Sequence, residues 1–471
     1  MTGFLHWLQH DTSGLLTLSG VGIAALLFMI IRLKIEPFIA LLAAGLLIAL
    51  AAGLPVEEIV GTAQKSGKSL LESGIGETLG HIAAIVGLGT VLGSLLEASG
   101  GAQLLTRALL AAFGEKRAPM AMGLSGLIFG VPVFFDIGIF VLAPLVYVAA
   151  RQGGRSILLY CLPLAAGLSI THAFLPPHPG PVAAAGLLGV DLGWLILMGV
   201  ACALPAFLVA GVLFPTWIGE RIHLPVPEDM LASADEIAEK NAAEGRPEPK
   251  LATVAFVIGL PMVLILGATF GSITLPKGST PLAVLTFLGN PAVALTIAVL
   301  VAIWLLGLRR GMSSAELSTL TASALKPLGM ILLVVGAGGF FGEVLDATGA
   351  GDALAGSLQA SGLPLLVSAY VISSGLRIAQ GSATVAIVTT GGIIAPLTAH
   401  AGHSQPQLAL IAIAIASGSI IASHVNDGGF WMVSRYFGIP VKEMLKTWTV
   451  LETILSVVGF STAALLSFLI A

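Results

Sequence analysis

Three charged residues, Asp136, Arg377 and Asp427, stand inside otherwise apolar stretches. An arginine keeps its charge and presents a planar fork of donors that matches a carboxylate. Arg377 is therefore the candidate for holding a small organic anion, the alternative being an ion pair with Asp136 or Asp427. Proton transfer needs a group whose charge changes within the working pH range, which histidine does unperturbed and a desolvated carboxylate does when shifted. His172, His424, Asp136 and Asp427 are the candidates, with His178 beside them. A histidine in an apolar stretch also serves as a hydrogen-bonded structural residue. Neutral donors and acceptors surround these positions: Thr171, Gln380, Ser382, Thr384, Ser423 and Asn426, the backbone at Gly381, and Ser169 and Ser419 nearby. They suit a small hydroxylated ligand, and they equally cap broken helices.

The elements that position these groups follow from composition. Of 471 residues 56% are hydrophobic and 10% charged, and the mean hydropathy is +1.00. Soluble domains carry about a quarter charged residues, so there is too little charge here to coat a soluble surface. Apolar runs repeat from Leu15 to Leu469, several longer than the roughly 20 residues a helix needs to cross a bilayer. A β-barrel would alternate with period two, and runs such as Leu41 to Leu50 do not. The expected class is an all-α polytopic membrane protein whose non-protein partner is membrane lipid. Met1 to Leu16 has no Lys or Arg and carries Asp11, so it lacks the basic start of a signal peptide and is expected to be retained. Cys161 and Cys202 lie inside apolar runs and read as small buried hydrophobes rather than a disulfide. With a formal charge of −4 and no basic cluster, nothing points to nucleic acid.

One long hydrophilic stretch, 220–250, divides the chain into hydrophobic halves, 1–219 and 251–471. Its eight acidic and four basic residues suit a solvated cytoplasmic linker, with room for an exposed helix over 232–243. Gly80 to Ala102 aligns without gaps on Gly329 to Gly351. Gly87, Gly89, Gly93, Leu96, Ala98 and Gly100 recur as Gly336, Gly338, Gly342, Leu345, Ala347 and Gly349, and Glu97 and Ser99 are answered by Asp346 and Thr348. A duplication is expected.

Lys and Arg concentrate in short cytoplasmic loops. With Arg32, Lys34, Arg107, Lys116, Arg117, Arg151 and Arg155 all inside, the stretch 120–150 must enter and return, as a re-entrant hairpin turning near Gly130 to Asp136. The equivalent stretch, 365–398, is flanked by segments without Lys or Arg, so its hairpin enters from the other side and turns at Arg377 to Thr384. Each hairpin is followed by a second interrupted segment, 157–189 and 408–439, broken at Thr171 to Pro181 and at Ser423 to Gly429. The expectation is two inverted repeats, each with a hairpin and a broken helix, enclosing one site where non-helical backbone meets a cavity. Lys65 and Lys68 fit this topology poorly, and an interfacial amphipathic helix between Val56 and Leu79 would account for them.

No Walker A sequence, His-Glu-x-x-His, Cys-x-x-Cys or nucleophile elbow is present, so ATP hydrolysis is not expected and no cofactor is implied. The Gly87-Leu-Gly89 and Gly336-Ala-Gly338 pairs suit close helix packing better than nucleotide binding. His400 and His403 read as a solvated loop, and no metal site is expected.

Four segments make the chain recognisable: Gly130-Val-Pro-Val-Phe-Phe-Asp-Ile-Gly138, Thr171-His-Ala-Phe-Leu-Pro-Pro-His-Pro-Gly-Pro181, Gln380-Gly-Ser-Ala-Thr-Val-Ala386 and Ser423-His-Val-Asn-Asp-Gly-Gly-Phe-Trp431. With them the sequence resembles, over almost its whole length, the gluconate permease family of gluconate:proton symporters. The resemblance implies a secondary active transporter of a bacterial inner membrane, not an enzyme. It implies uptake of gluconate or a relative such as idonate, fructuronate, 2-keto-3-deoxygluconate, glycerate or D-serine, all small carboxylates and mostly hydroxylated. The wider ion-transporter superfamily that this family resembles uses a scaffold domain and a mobile, elevator-type transport domain carrying two opposed hairpins, and by that analogy forms homodimers. A proton is the expected coupling ion, with sodium as the alternative. A channel would need a continuous polar pore rather than a repeated, closed site. An intramembrane enzyme, with Asp136 or His172 as acid or base, would return a changed substrate.

Overall fold

The computed structural model describes residues 2–62, 69–114, 117–226, 248–326, 328–349, 363–399, 401–424 and 427–470. Among these residues all regular structure is helical. Among the described residues eight helices are long and apolar enough to cross a membrane, with a further bent pair that is a broken span or a re-entrant loop. Their burial separates centre from periphery. The broken segment Leu158–Leu188 is 94% buried over its apolar window, whereas Leu251–Thr274 and Pro291–Arg310 are 28% and 39% buried. The last two expose Phe256, Val263, Phe270, Leu300 and Trp304, a face suited to lipid.

The stretch expected to form the first hairpin, and given that label below, folds as Ala118–Phe129 and Phe135–Gly153, joined by a turn over 130–134. Pro119 begins the first helix where its missing N–H costs nothing. The second helix bends by 48° where Ala143 gives way to Leu145, at Pro144. The broken helix that follows runs as Leu158–Phe174 and Pro179–Leu188. The break falls later than the sequence suggests: Thr171 and His172 stay helical, and the chain leaves the helix only at Leu175. Prolines explain the shift, since Pro176, Pro177 and Pro179 each disfavour helical geometry in the residue before them.

The second hairpin is Leu365–Gln380 and Ala383–Ala399, with its turn at Gly381 and Ser382. Its broken helix is Gln405–Gly418 and Gly428–Tyr436. Ser404 starts the first piece through a capping box with Gln407. In each half a hairpin helix packs on the broken helix through glycine. A Cβ on Gly167 would lie 2.5 Å from Leu127 N, and one on Gly418 would lie 2.6 Å from Tyr370 O. Only a hydrogen in place of a side chain allows that approach.

The matched glycines of the two halves also sit at contacts. A Cβ on Gly89 would meet Pro177 Cγ at 2.5 Å, and Gly93 backs onto Pro132 of the first hairpin turn. Gly338 and Gly342 likewise press on Val388 and Gly392 of the second hairpin.

In the segment from Val56 to Leu79 a short helix, Val56–Val60, ends at Gly61 with φ of 74°, and a long one, Leu70–Ala98, starts at Ser69, which accepts from Glu72 N at 3.2 Å as its cap; the residues between them, where an interfacial helix would hold Lys65 and Lys68, lie outside the described residues. Lys65, Lys68, Lys116, His400, Asn426 and the expected helix over 232–243 lie outside the described residues.

Candidate functional site

The second hairpin supplies the charged centre. Gly381, with φ of 83°, ends the helix Leu365–Gln380 in the left-handed conformation that glycine adopts freely, and its N–H returns to Arg377 O at 2.9 Å. This turn places Arg377 in the last helical turn, 4% exposed. Its Nη1 donates to Gly381 O and its Nη2 to Asp427 Oδ2. Nε is buried without a partner.

Asp427 is the N-cap of Gly428–Tyr436, accepting from Gly429 N at 2.9 Å. Its Oδ2 accepts from both Arg377 and Ser423 Oγ. Ser423 accepts in turn from Trp448 Nε1 at 2.7 Å, and its carbonyl from Thr449 Oγ1 at 2.5 Å. The second break is thus tied to the second hairpin by an ion pair and to the final helix, Trp448–Leu469, by two hydrogen bonds. An ion pair with little water around it is held by these additional bonds.

The first hairpin turn meets the same place. The Phe135 and Trp448 rings are 5.8 Å apart, and Asp136 is exposed in the first turn of Phe135–Gly153, close enough to feel the charge of Asp427. His172 lies one turn past Ser169, within electrostatic reach of Arg377. Its ring is 4.8 Å from that of His178 and 6.0 Å from Phe134, and its Nδ1 is buried without a partner. His178, 3% exposed, donates from Nε2 to Gly130 O at 2.6 Å, so it holds the first hairpin turn to the first break.

The remaining candidates divide. Ser382 receives Val385 N at 3.4 Å and Thr384 is half-buried, both in the first turn after the second hairpin tip. Thr171 is fully buried and bonds back to Gly167 O and Leu168 O, the helix-internal use of a hydroxyl. Ser419 does the same with Ala416 O. His424 turns its Nδ1 onto Ala422 O at 2.8 Å within its own loop, so it does not occupy the position His172 has inside a helix. Gln380 ends its helix, its side chain outside the description.

Two residues on the final helix escape a search for interrupted segments. Trp448 and Glu452 stand four apart on an unbroken apolar helix, and Glu452 Oε2 receives Ser169 Oγ at 3.0 Å. The available signal was a polar step of four, Trp448, Glu452, Ser456, in a helix that is otherwise apolar. Around this centre begin four helix pieces, at Phe135, Pro179, Ala383 and Gly428. The positive ends of these helix pieces favour an anion, and the arginine, carboxylates and imidazoles beside them can bind a carboxylate and move protons. Among the described residues no cluster of His, Cys, Asp or Glu could hold a metal ion.

Two solved structures share the fold: MtrF of Neisseria gonorrhoeae, described among antimetabolite efflux pumps, with a TM-score of 0.66 at 16% identity over 94% of this chain and 97% of that one; and the YdaH transporter of Alcanivorax borkumensis, with 0.62 at 15% identity over 92% and 99%. In sequence, the inner membrane permease YgbN of Escherichia coli is 42% identical over 96% of this chain and 98% of its own length. The gluconate permease of Bacillus subtilis is 39% identical over 97% and 100%. The low-affinity gluconate transporter of Escherichia coli is 37% identical over 94% and 96%. The model of the GntP family permeases matches residues 15–469, and with relatives this similar over nearly the whole length, the chain is a multi-pass membrane protein belonging to the GntP permease family.

Proposed function

We propose that the chain imports gluconate or a closely related sugar acid across a bacterial inner membrane, driven by protons that enter with it. The observation that carries this reading is the buried pair of Arg377 and Asp427, joined where a hairpin turn meets a helix break. Arg377 has one donor, Nε, still unpartnered. A substrate carboxylate can take the Nε and Nη2 edge of the fork by displacing Asp427, whose own carboxylate has the same shape and charge. Specificity for a polyol chain would come from Ser382, Thr384, Ser423, Asn426, Gln380, Thr171 and the backbone at Gly381. The relatives named as gluconate permeases and transporters support the substrate class.

Coupling would use the titratable groups at the breaks: Asp136, His172, His424 and Asp427. In this reading the hairpins and broken helices form the moving unit and the lipid-facing helices the scaffold, so that the site is carried between the two aqueous sides. Uptake in proteoliposomes across a panel of sugar acids, with imposed proton or sodium gradients, tests it. Gluconate accumulation under a proton gradient, and none under sodium alone, is the expected result; accumulation driven only by sodium, or none of any sugar acid, would refute it.

A further inference from the structure

The final helix turns one polar stripe toward the moving parts of the site. Trp448, Glu452 and Ser456 follow at steps of four, the spacing that puts side chains on one helical face. Trp448 Nε1 bonds Ser423 in the second break, Glu452 bonds Ser169 in the first broken helix, and Ser456 Oγ lies 3.0 Å from Tyr370 Oη in the second hairpin. One face therefore touches three elements that carry the candidate site.

Glu452 is the residue in this stripe that can hold a charge, and it is 1% exposed. Its Oε2 has a single hydrogen bond, from Ser169, while Oε1 is buried with no partner. Among the described residues no cation lies within ion-pair distance of it. The nearby guanidinium of Arg377 is itself paired with Asp427. The elements packed on this helix carry other titratable groups: Tyr160, Cys161 and His172 on Leu158–Phe174, Cys202 on Leu192–Ala206, Tyr370 of the second hairpin, and Lys442, Glu443 and Lys446 on Val441–Lys446, where Lys446 is paired with Glu443. A carboxylate ion with one hydrogen bond and no counter-charge is costly in such a place, whereas the neutral acid is tolerated. Its single contact is to a hydroxyl on a helix that is itself broken. A movement separating Ser169 from Glu452 would alter what holds the proton.

Resting on the proton-coupled reading above, we propose that Glu452 is a proton-binding site of the transport cycle. Its carboxyl takes one proton from water on the entry side, carries it as the neutral acid while sealed against Ser169, and releases the same proton to water on the exit side. No bond other than O–H forms or breaks, and one proton moves with each substrate.

The test uses the full chain in proteoliposomes holding a pH-sensitive dye, comparing wild type with Glu452→Gln. A proton gradient of one unit with one proton per substrate supports about tenfold gluconate accumulation. The wild type should reach it and acidify the lumen. Glu452→Gln should lose both, settling at equal concentrations inside and outside, while gluconate–gluconate exchange stays within about twofold of wild type, since exchange needs no net proton transfer. Undiminished accumulation with proton entry in Glu452→Gln would overturn the proposal. Failure of the underlying reading is distinct: the wild type itself would then show no dye response with any sugar acid, and the proposal would fall with it. A second measurement needs no variant. An apolar carbodiimide reacts with protonated carboxyls, so labelling of the wild type should modify Glu452 by peptide mass and abolish accumulation; no label on Glu452 would also overturn the proposal.

Discussion

Arg377 and Asp427, 50 residues apart in sequence, form a buried ion pair that joins the second hairpin to the N-cap of the helix beyond the second break. The pair is asymmetric in what it leaves over. Asp427 Oδ1 is satisfied by Gly429 N and Oδ2 by two donors, whereas Arg377 keeps Nε unspent. The free capacity for an incoming anion is on the arginine.

Arg377→Lys should weaken gluconate binding by about tenfold or more, because a point charge on a flexible stem cannot reproduce two parallel N–H bonds worth roughly 1.5–3 kcal/mol. Equilibrium binding of labelled gluconate to purified protein measures it. Unchanged affinity in both Arg377→Lys and Arg377→Ala would remove the arginine from the site.

Asp427→Asn keeps the cap on Gly428–Tyr436, since the amide oxygen can still accept from Gly429, but removes the counter-charge of Arg377. Breaking one side of a buried pair costs about 3–5 kcal/mol. Gluconate at about 100 times its Kd should restore roughly 2.7 kcal/mol of that, and its stabilising effect should exceed that on wild type at equal concentration. Thermal unfolding with and without gluconate reads both effects. Equal stabilisation of the two proteins would mean that substrate does not replace the Asp427 carboxylate.

His178→Ala should loosen the first hairpin turn by about 1–3 kcal/mol, because it leaves Gly130 O without the imidazole N–H that now reaches it at 2.6 Å. His178→Gln, which restores an N–H donor, should recover part of the loss. Protease sensitivity of the turn over 130–134 is the measurement, and equal cleavage in all three proteins would argue against this tie.

Gly418→Ala should be among the more damaging single-methyl additions. The new Cβ would stand 2.6 Å from Tyr370 O and 2.8 Å from Ser373 Cβ, both on a helix held in place by its own hairpin. Overpacking of this kind costs about 1–3 kcal/mol. Gly259→Ala, with nothing within 4 Å of its Cβ, is the control and should leave the midpoint of thermal unfolding unchanged. Equal midpoints for the two variants would show that the helices relax freely.

Much of the molecule was legible in the sequence because local chemistry decides it. Apolar length and low charge set the class, and Pro and Gly marked the turns at 130–134 and 381–382 and both breaks to within a few residues. Where the placement slipped, at Thr171 and His172, the helix simply continued to the residue before the proline pair. The interior charges were equally visible, since nothing hides Asp136, Arg377 or Asp427 in an apolar run. What they touch was not visible. The sequence left Arg377 free to pair with Asp136, Asp427 or a substrate, and only the packing of a hairpin on a broken helix selects Asp427. Glu452 is the sharper case. A polar step of four marks one face of the helix, but nothing local says what that face meets, and its partner Ser169 lies 283 residues earlier. A helix's pattern is fixed by residues a turn apart, whereas the contact of one polar atom with another across the bundle depends on how every helix between them packs.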